Sequence, residues 1–153
     1  MAASKGNPQI VKLLLEKGAD PDLQNSSKST ALHYAASKGH EEVLLEILKS
    51  AGKPNLEVKD ASGSTPLGRA ASRGNMGCVK LLIQQGADVC AADNDGNTAL
   101  HLAVAEEFAE VAFLLKDAVH VKNKKGETAL TLASPKMRSA FEMLAKEEEE
   151  EED

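Results

Sequence analysis

Two kinds of apolar block alternate along the chain. The first is short and rich in alanine: Ala35-Ala-Ser-Lys-Gly39, Ala70-Ala-Ser-Arg-Gly74, Ala103-Val-Ala-Glu-Glu107 and a weaker Ala133-Ser-Pro-Lys-Met137, with Ala2-Ala-Ser-Lys-Gly6 opening the chain. The second is rich in leucine: Ile10-Val-Lys-Leu-Leu-Leu15, Val43-Leu-Leu-Glu-Ile-Leu48, Cys78-Val-Lys-Leu-Leu-Ile83 and Val111-Ala-Phe-Leu-Leu115. Their apolar spacing predicts short helices with one buried face. Polar loops follow, with tips at Asp60-Ala-Ser-Gly63, Asp93-Asn-Asp-Gly96 and Asn123-Lys-Lys-Gly126, where glycine suits a turn that needs positive φ.

The blocks are kept in phase by a tripeptide, Thr-Ala/Pro-Leu, which recurs at Thr30, Thr65, Thr98 and Thr128 with spacings of 35, 33 and 30. The two-residue excess falls around 50–55 and the three-residue deficit around 116–121. A helix pair of this size cannot bury its apolar face alone, so neighbouring pairs must stack into a solenoid with a shared core. The first copy begins inside its own first helix, which suggests a shortened N-terminus. The last copy is expected to cap the stack.

Thr30-Ala-Leu-His-Tyr-Ala-Ala-Ser-Lys-Gly39 and Gly96-Asn-Thr-Ala-Leu-His-Leu-Ala103 resemble the ankyrin repeat. The resemblance covers nearly the whole chain and implies an all-α ankyrin-repeat solenoid of helix-turn-helix units with β-hairpin-like loops. It also implies that His33 and His101 are structural, tying loop to helix. Gly68 and Thr131 replace the histidine in the other two copies, so those units are expected to be held less rigidly. The repeat domain is read as residues 1–146.

Apolar residues make up 42% and charged residues 27% of the 153-residue chain, a globular balance. With one tyrosine, three phenylalanines and no tryptophan, the core must be aliphatic. The net charge of -6 is misleading, because seven of the 24 acids lie in 147–153 and the remaining 17 face 18 bases. That run reads as an acidic, disordered tail. A near-neutral body without basic clusters offers no source for nucleic-acid affinity. No apolar run approaches the roughly 20 residues of a membrane span. Two cysteines without a secretory segment point to a reducing, cytoplasmic compartment, with the nucleus also open.

Motifs that resemble reaction chemistry dissolve on inspection. Gly63-Ser-Thr-Pro-Leu-Gly68 has a phosphate loop's glycines, but Arg69-Ala70 follows where Lys and Ser or Thr are required. Asp93-Asn-Asp-Gly96 begins like a calcium loop, yet its twelfth position is Val104 instead of glutamate. The four histidines lack zinc-site spacing, and Cys78 falls on an apolar helix face. Asn25-Ser-Ser27 fits the glycosylation pattern but lacks a secretion signal. Catalytic, cofactor and metal roles are therefore assigned to no residue, and the chain reads as a non-catalytic binding protein.

A narrower resemblance lies in the order of repeats. Thr65-Pro-Leu-Gly-Arg-Ala-Ala-Ser-Arg-Gly-Asn75, then Gly96 to Glu107, then a truncated last repeat, is similar to ankyrin-repeat chaperones of proteasome regulatory-particle assembly. It implies a monomer that binds the C-terminal domain of a proteasomal ATPase subunit through a concave face. A scaffold for another intracellular protein is the alternative. Carried residue by residue, the face comprises Tyr34, Lys38, Arg69, Arg73, Asp93, Asp95, Glu106, Lys124, Lys125 and Lys136. Those chaperones carry a Leu-x-Cys-x-Glu segment associated with retinoblastoma protein where this chain has Leu102-Ala-Val-Ala-Glu106, with Val104 in place of the cysteine.

Overall fold

A computed structural model describes residues 2–152. Its helices pair into five units: α1 (Ala2–Lys5) with α2 (Pro8–Glu16), α3 (Ala31–Lys38) with α4 (Glu41–Leu48), α5 (Pro66–Ser72) with α6 (Met76–Gln84), α7 (Ala99–Ala105) with α8 (Ala109–Leu114), and α9 (Ala129–Leu132) with α10 (Pro135–Glu152). First helices stack in the order α1, α3, α5, α7, α9 and second helices in the order α2, α4, α6, α8, α10. Among the described residues there is no strand. Isolated bridges, Ala92 with Thr98 and Lys122 with Thr128, mark hairpin bases. The fold is the all-α solenoid that the repeat predicts.

Each first helix from α3 onward starts where threonine can cap it. Thr30, Thr65, Thr98 and Thr128 are extended N-cap residues, and the Thr65, Thr98 and Thr128 hydroxyls accept the N–H of Gly68, His101 and Thr131. Pro66 adds a first residue that has no N–H to satisfy. Leu32, Leu67 and Leu100 then carry the first helices into a continuous aliphatic core, joined by Leu44, Val79 and Leu82. The two extra residues of the second unit enter the stretch beyond α4, where Lys53 takes φ +40°. The shorter fourth unit turns through a 3-10 turn at Lys116–Ala118.

The first helices α1, α3, α5 and α7 end through a left-handed residue, whereas α9 ends in the extended Ala133. Gly39 and Gly74 take φ +72° and +69°. A Cβ at Gly39 would lie 3.0 Å from the Asn75 side chain, and one at Gly74 would lie 2.9 Å from Phe108. Glu107 holds the same position with φ +61° and is exposed. Glu107→Gly is accordingly expected to stabilise the fold by about 0.5–1 kcal/mol. In thermal melts that corresponds to a gain of about 2 °C.

The C-terminal end departs from expectation. The helix α10 runs from Pro135 through Glu152, so the boundary expected at 146 falls inside a helix, and Asp153, the last residue of the expected tail, lies outside the described residues. Glutamate is a good helix former, and Lys116 pairs with Glu148. Lys116 also lies 4.7 Å over the Phe113 ring, and Phe113 meets Phe141 edge-on at 5.4 Å. These contacts and buried Met137 seat α10 on the fourth unit.

Candidate functional site

The exposed tips are built by one device used four times. The Oδ1 atoms of Asn25, Asp60, Asp93 and Asn123 each accept two backbone N–H groups further along their own loop, from Ser27 and Ser29, Ser62 and Ser64, Asp95 and Asn97, and Lys125 and Glu127. The tips are also bonded to each other. The Ala61 N–H donates to the Ser27 carbonyl, Asn94 to Ser62 and Lys124 to Asp95, each at 3.0 Å. The loops thus form a fixed ladder along one edge of the stack.

Buried histidines fasten this ladder to the helices. The Thr30 N–H donates to His33 Nδ1 at 3.1 Å, and His33 Nε2 donates to the Ser64 carbonyl at 2.9 Å. His101 does the same with the Thr98 N–H and the Glu127 carbonyl, at 3.2 and 2.9 Å. Both rings are thereby fixed as the neutral tautomer protonated on Nε2. Burial lowers the His33 pKa below 6.5, outweighing the Ser64 carbonyl and the Asp60 charge, which favour the cation. Where histidine is absent, Thr131 places its hydroxyl 2.7 Å from that of Thr128. A Cβ at Gly68 would meet the Ser64 hydroxyl.

The first helices present two rows. Tyr34, Arg69, Leu102 and Leu132 stand four residues after their threonines, and Lys38, Arg73, Glu106 and Lys136 stand eight after, although Lys136 lies on the first turn of α10 instead of on a first helix. All four members of the second row are exposed. Two cations are therefore followed by an anion, next to the acidic tip of Asp93 and Asp95. Asp93 is committed through Oδ1 to its own turn, whereas the Asp95 side chain is exposed. Asp95 shares a hollow of about 330 Å³ with Lys124 and Lys125, so the structure brings these three together.

Arg69 behaves differently from the free cation that the sequence suggests. Its Nε donates to Asp60 Oδ2 at 2.6 Å and its Nη2 to Ser62 Oγ at 2.9 Å. Burial alone would raise the Asp60 pKa, but the Ser62 hydroxyl, the Arg69 guanidinium and the Ser64 N–H together hold it below the usual carboxylate value. Tyr34 Oη accepts from Asn25 Nδ2 at 2.8 Å. Between Tyr34 and Arg69 lies a hollow of about 210 Å³ edged by Ser27, Ser29 and Ser37. Asp60, Leu102 and Leu132 are the members of this face that sequence reading left out; Leu132 is exposed and shares the hollow of Asp95.

Cys78 is buried, with its thiol pushed up to about 11 by burial and the Glu41 charge. Among the described residues no cluster of His, Cys, Asp and Glu could hold a metal, and no helix is long and apolar enough to cross a membrane. Ala103 and Val104 are buried, so the middle of the Leu102 to Glu106 segment packs into the core while Ala105 and Glu106 are exposed.

A rigid ladder of tips beside two rows of mixed polar, charged and apolar side chains defines a protein–protein interaction module. Residues 1–93 match the family described as ankyrin repeats in three copies, and residues 95–124 match a further ankyrin repeat. The chain belongs to the ankyrin repeat family, whose repeats are generally non-catalytic interaction modules. It is 33% identical to the E3 ubiquitin-protein ligase KEG of Arabidopsis thaliana over 81% of its length and 8% of that protein. It is 35% identical to neurogenic locus notch homolog protein 1 of Xenopus laevis, over 87% of this chain and 5% of that one. The nuclear factor NF-kappa-B p105 subunit of Gallus gallus is 33% identical over 65% of the chain and 10% of its own length. The chain spans a tenth or less of these relatives.

Proposed function

We propose that this module binds a partner whose surface carries acidic residues followed by basic ones, and that the partner is the C-terminal domain of a proteasomal ATPase subunit. The observation that carries the charge pattern is the exposed row Lys38, Arg73, Glu106, flanked by Asp95. Complementary charge sets register and discriminates between partners. The identity of the partner rests on the similarity of Thr65 to Asn75 and Gly96 to Glu107, in that order, to gankyrin, a proteasome assembly chaperone. On this reading the protein works as a monomer in the cytoplasm and nucleus.

Arg69 is unsuitable for charge reversal, since a carboxylate there would face Asp60. The test is therefore calorimetric titration of the ATPase domain with wild type and with Lys38→Glu/Arg73→Glu, two exposed positions. Binding is expected to weaken by about 2 kcal/mol or more, roughly 30-fold in Kd, in the double variant, with circular dichroism unchanged. No binding by the wild type would sink the proteasomal reading. Unchanged binding by the double variant would remove the cationic row from the interface.

A further inference from the structure

The second and third units carry serine at three equivalent positions: Ser27 with Ser62, Ser29 with Ser64 and Ser37 with Ser72. In the third unit all three hydroxyls are spent within the chain. Ser62 Oγ donates to Asp60 Oδ1 at 2.8 Å, Ser64 Oγ to the Thr65 carbonyl at 3.5 Å and Ser72 Oγ to the Arg69 carbonyl at 3.1 Å. In the second unit the hydroxyls of Ser27, Ser29 and Ser37 make no hydrogen bond among the described residues, and all three edge the hollow between Tyr34 and Arg69.

One residue accounts for much of the difference. Asp60 gives the third unit a carboxylate, which takes the Ser62 hydroxyl on Oδ1 and the Arg69 guanidinium on Oδ2. Its counterpart is Asn25, whose Oδ1 takes two backbone N–H groups and whose Nδ2 donates to Tyr34 Oη. An amide has no second oxygen with which to gather hydroxyls. Because Tyr34 accepts that bond, its own proton remains to be donated. Arg69 Nη1 makes no bond among the described residues, while both nitrogens of His33, which also borders the hollow, are committed. No acidic residue lines the hollow. Lys28 and Lys38, both exposed, adjoin its serines in the chain.

We propose that this hollow is a carboxylate site, and that its ligand is a glutamate or aspartate side chain of the partner protein. This rests on the reading of the face as one that meets acidic residues, and names the point at which one of them is held. A carboxylate only accepts, at up to about four lone-pair positions, and hydroxyl and guanidinium donors are what this hollow leaves open. The volume of about 210 Å³ is below the roughly 300–1,000 Å³ of sites for free small molecules, and suits a single side chain. The third unit shows the same chemistry completed internally, with a hydroxyl and a guanidinium holding Asp60. Asp60, 2.6 Å from Arg69, already offsets the guanidinium charge and so favours a monoanion over the dianion of a phosphate.

The experiment follows the amide spectrum of the full chain by nuclear magnetic resonance at low ionic strength, where such contacts are least screened. The probe is N-acetylglutamate α-amide, which carries one carboxylate, with N-acetylglutamine α-amide as its neutral counterpart. Saturable shifts are expected at Ser27, Ser29, Tyr34 and Ser37, with the glutamine compound at least about tenfold weaker. Ser29→Ala/Ser37→Ala removes two open hydroxyls. It should weaken glutamate binding about tenfold while moving the melting temperature by no more than about 2 °C. An equal response to the two compounds, or a double variant that binds as wild type does, would overturn the proposal. So would inorganic phosphate that displaces the glutamate compound at about a tenth of its concentration, because the hollow would then be a phosphate site. The probe does not depend on the proteasomal domain. If that domain fails to bind a chain whose hollow takes glutamate, the proteasomal reading falls and the site stands; if it binds wild type and double variant alike, the hollow is not where the partner's carboxylate goes.

Discussion

Replacing His33 by alanine is expected to cost about 3 kcal/mol, near 6–12 °C in melting temperature for a chain of this size. The ring is 2% exposed. It bonds the Thr30 N–H in its own unit and the Ser64 carbonyl in the next. Its removal leaves a cavity and the buried Thr30 N–H without a partner, worth about 1–3 kcal/mol when unsatisfied, while the Ser64 carbonyl keeps the Asp60 N–H. A denaturation series in urea checks the figure. Acid has a graded form of the same effect. The folded pKa of His33 lies below its unfolded value of 6.5, so the unfolded chain binds the extra proton first. The stabilisation is present in full above pH 6.5 and is lost as the pH falls from there through the folded value. Asp60, also held low, adds a further loss below about pH 3.8. His33→Ala should flatten the upper part of that profile and leave the lower part. An unaltered profile between pH 6.5 and 5 would show that the ring is not what titrates.

Gly63→Ala should cost about 2–4 kcal/mol, against about 1 kcal/mol for Gly126→Ala. Both glycines sit at the same position of their tips with nearly the same φ, +77° and +78°. A Cβ at Gly126 would meet nothing within 4 Å, whereas one at Gly63 would lie 2.7 Å from the backbone nitrogen of Asn94. That nitrogen donates to the Ser62 carbonyl and is a rung of the ladder between units. The comparison therefore separates backbone strain, common to both, from the loss of the rung, peculiar to Gly63. Parallel chemical melts of the two variants give the difference directly, and equal costs would show that the rung contributes nothing.

The repeat was legible in the sequence because its fixed points answer local needs. Threonine caps a helix, histidine three residues later returns to it, and glycine takes the left-handed turn. The same locality explains what was missed. Arg69 reads as a partner-facing cation, since nothing in its helix opposes it. Its counter-ion, Asp60, lies in the loop that folds back beside that helix, at the position that builds the turn in every unit. The glutamates after 146 read as charge alone, but their helix propensity and the distant Lys116 make them an extension of α10. The face itself, a row across successive helices, emerges only once the register of the stack is known.

The joints between units are not equally fastened. Between the second and third, His33 and Asn75 both reach across to carbonyls, Asn75 to those of Ala36 and Ser37 at 2.7 and 3.0 Å. Between the fourth and fifth, His101 does so. Between the third and fourth, Gly68 replaces the histidine and Phe108 replaces the asparagine, leaving an apolar ring against Gly74. The directed bonds of this joint lie instead at its loops, from the Asn94 N–H to the Ser62 carbonyl and from Lys59 Nζ to the Ala92 carbonyl. Where Arg73 gives way to Glu106, neighbouring units are therefore held by bonds at their loops and by an apolar ring at their helix ends, so the two sides of this one joint answer differently to salt and to temperature.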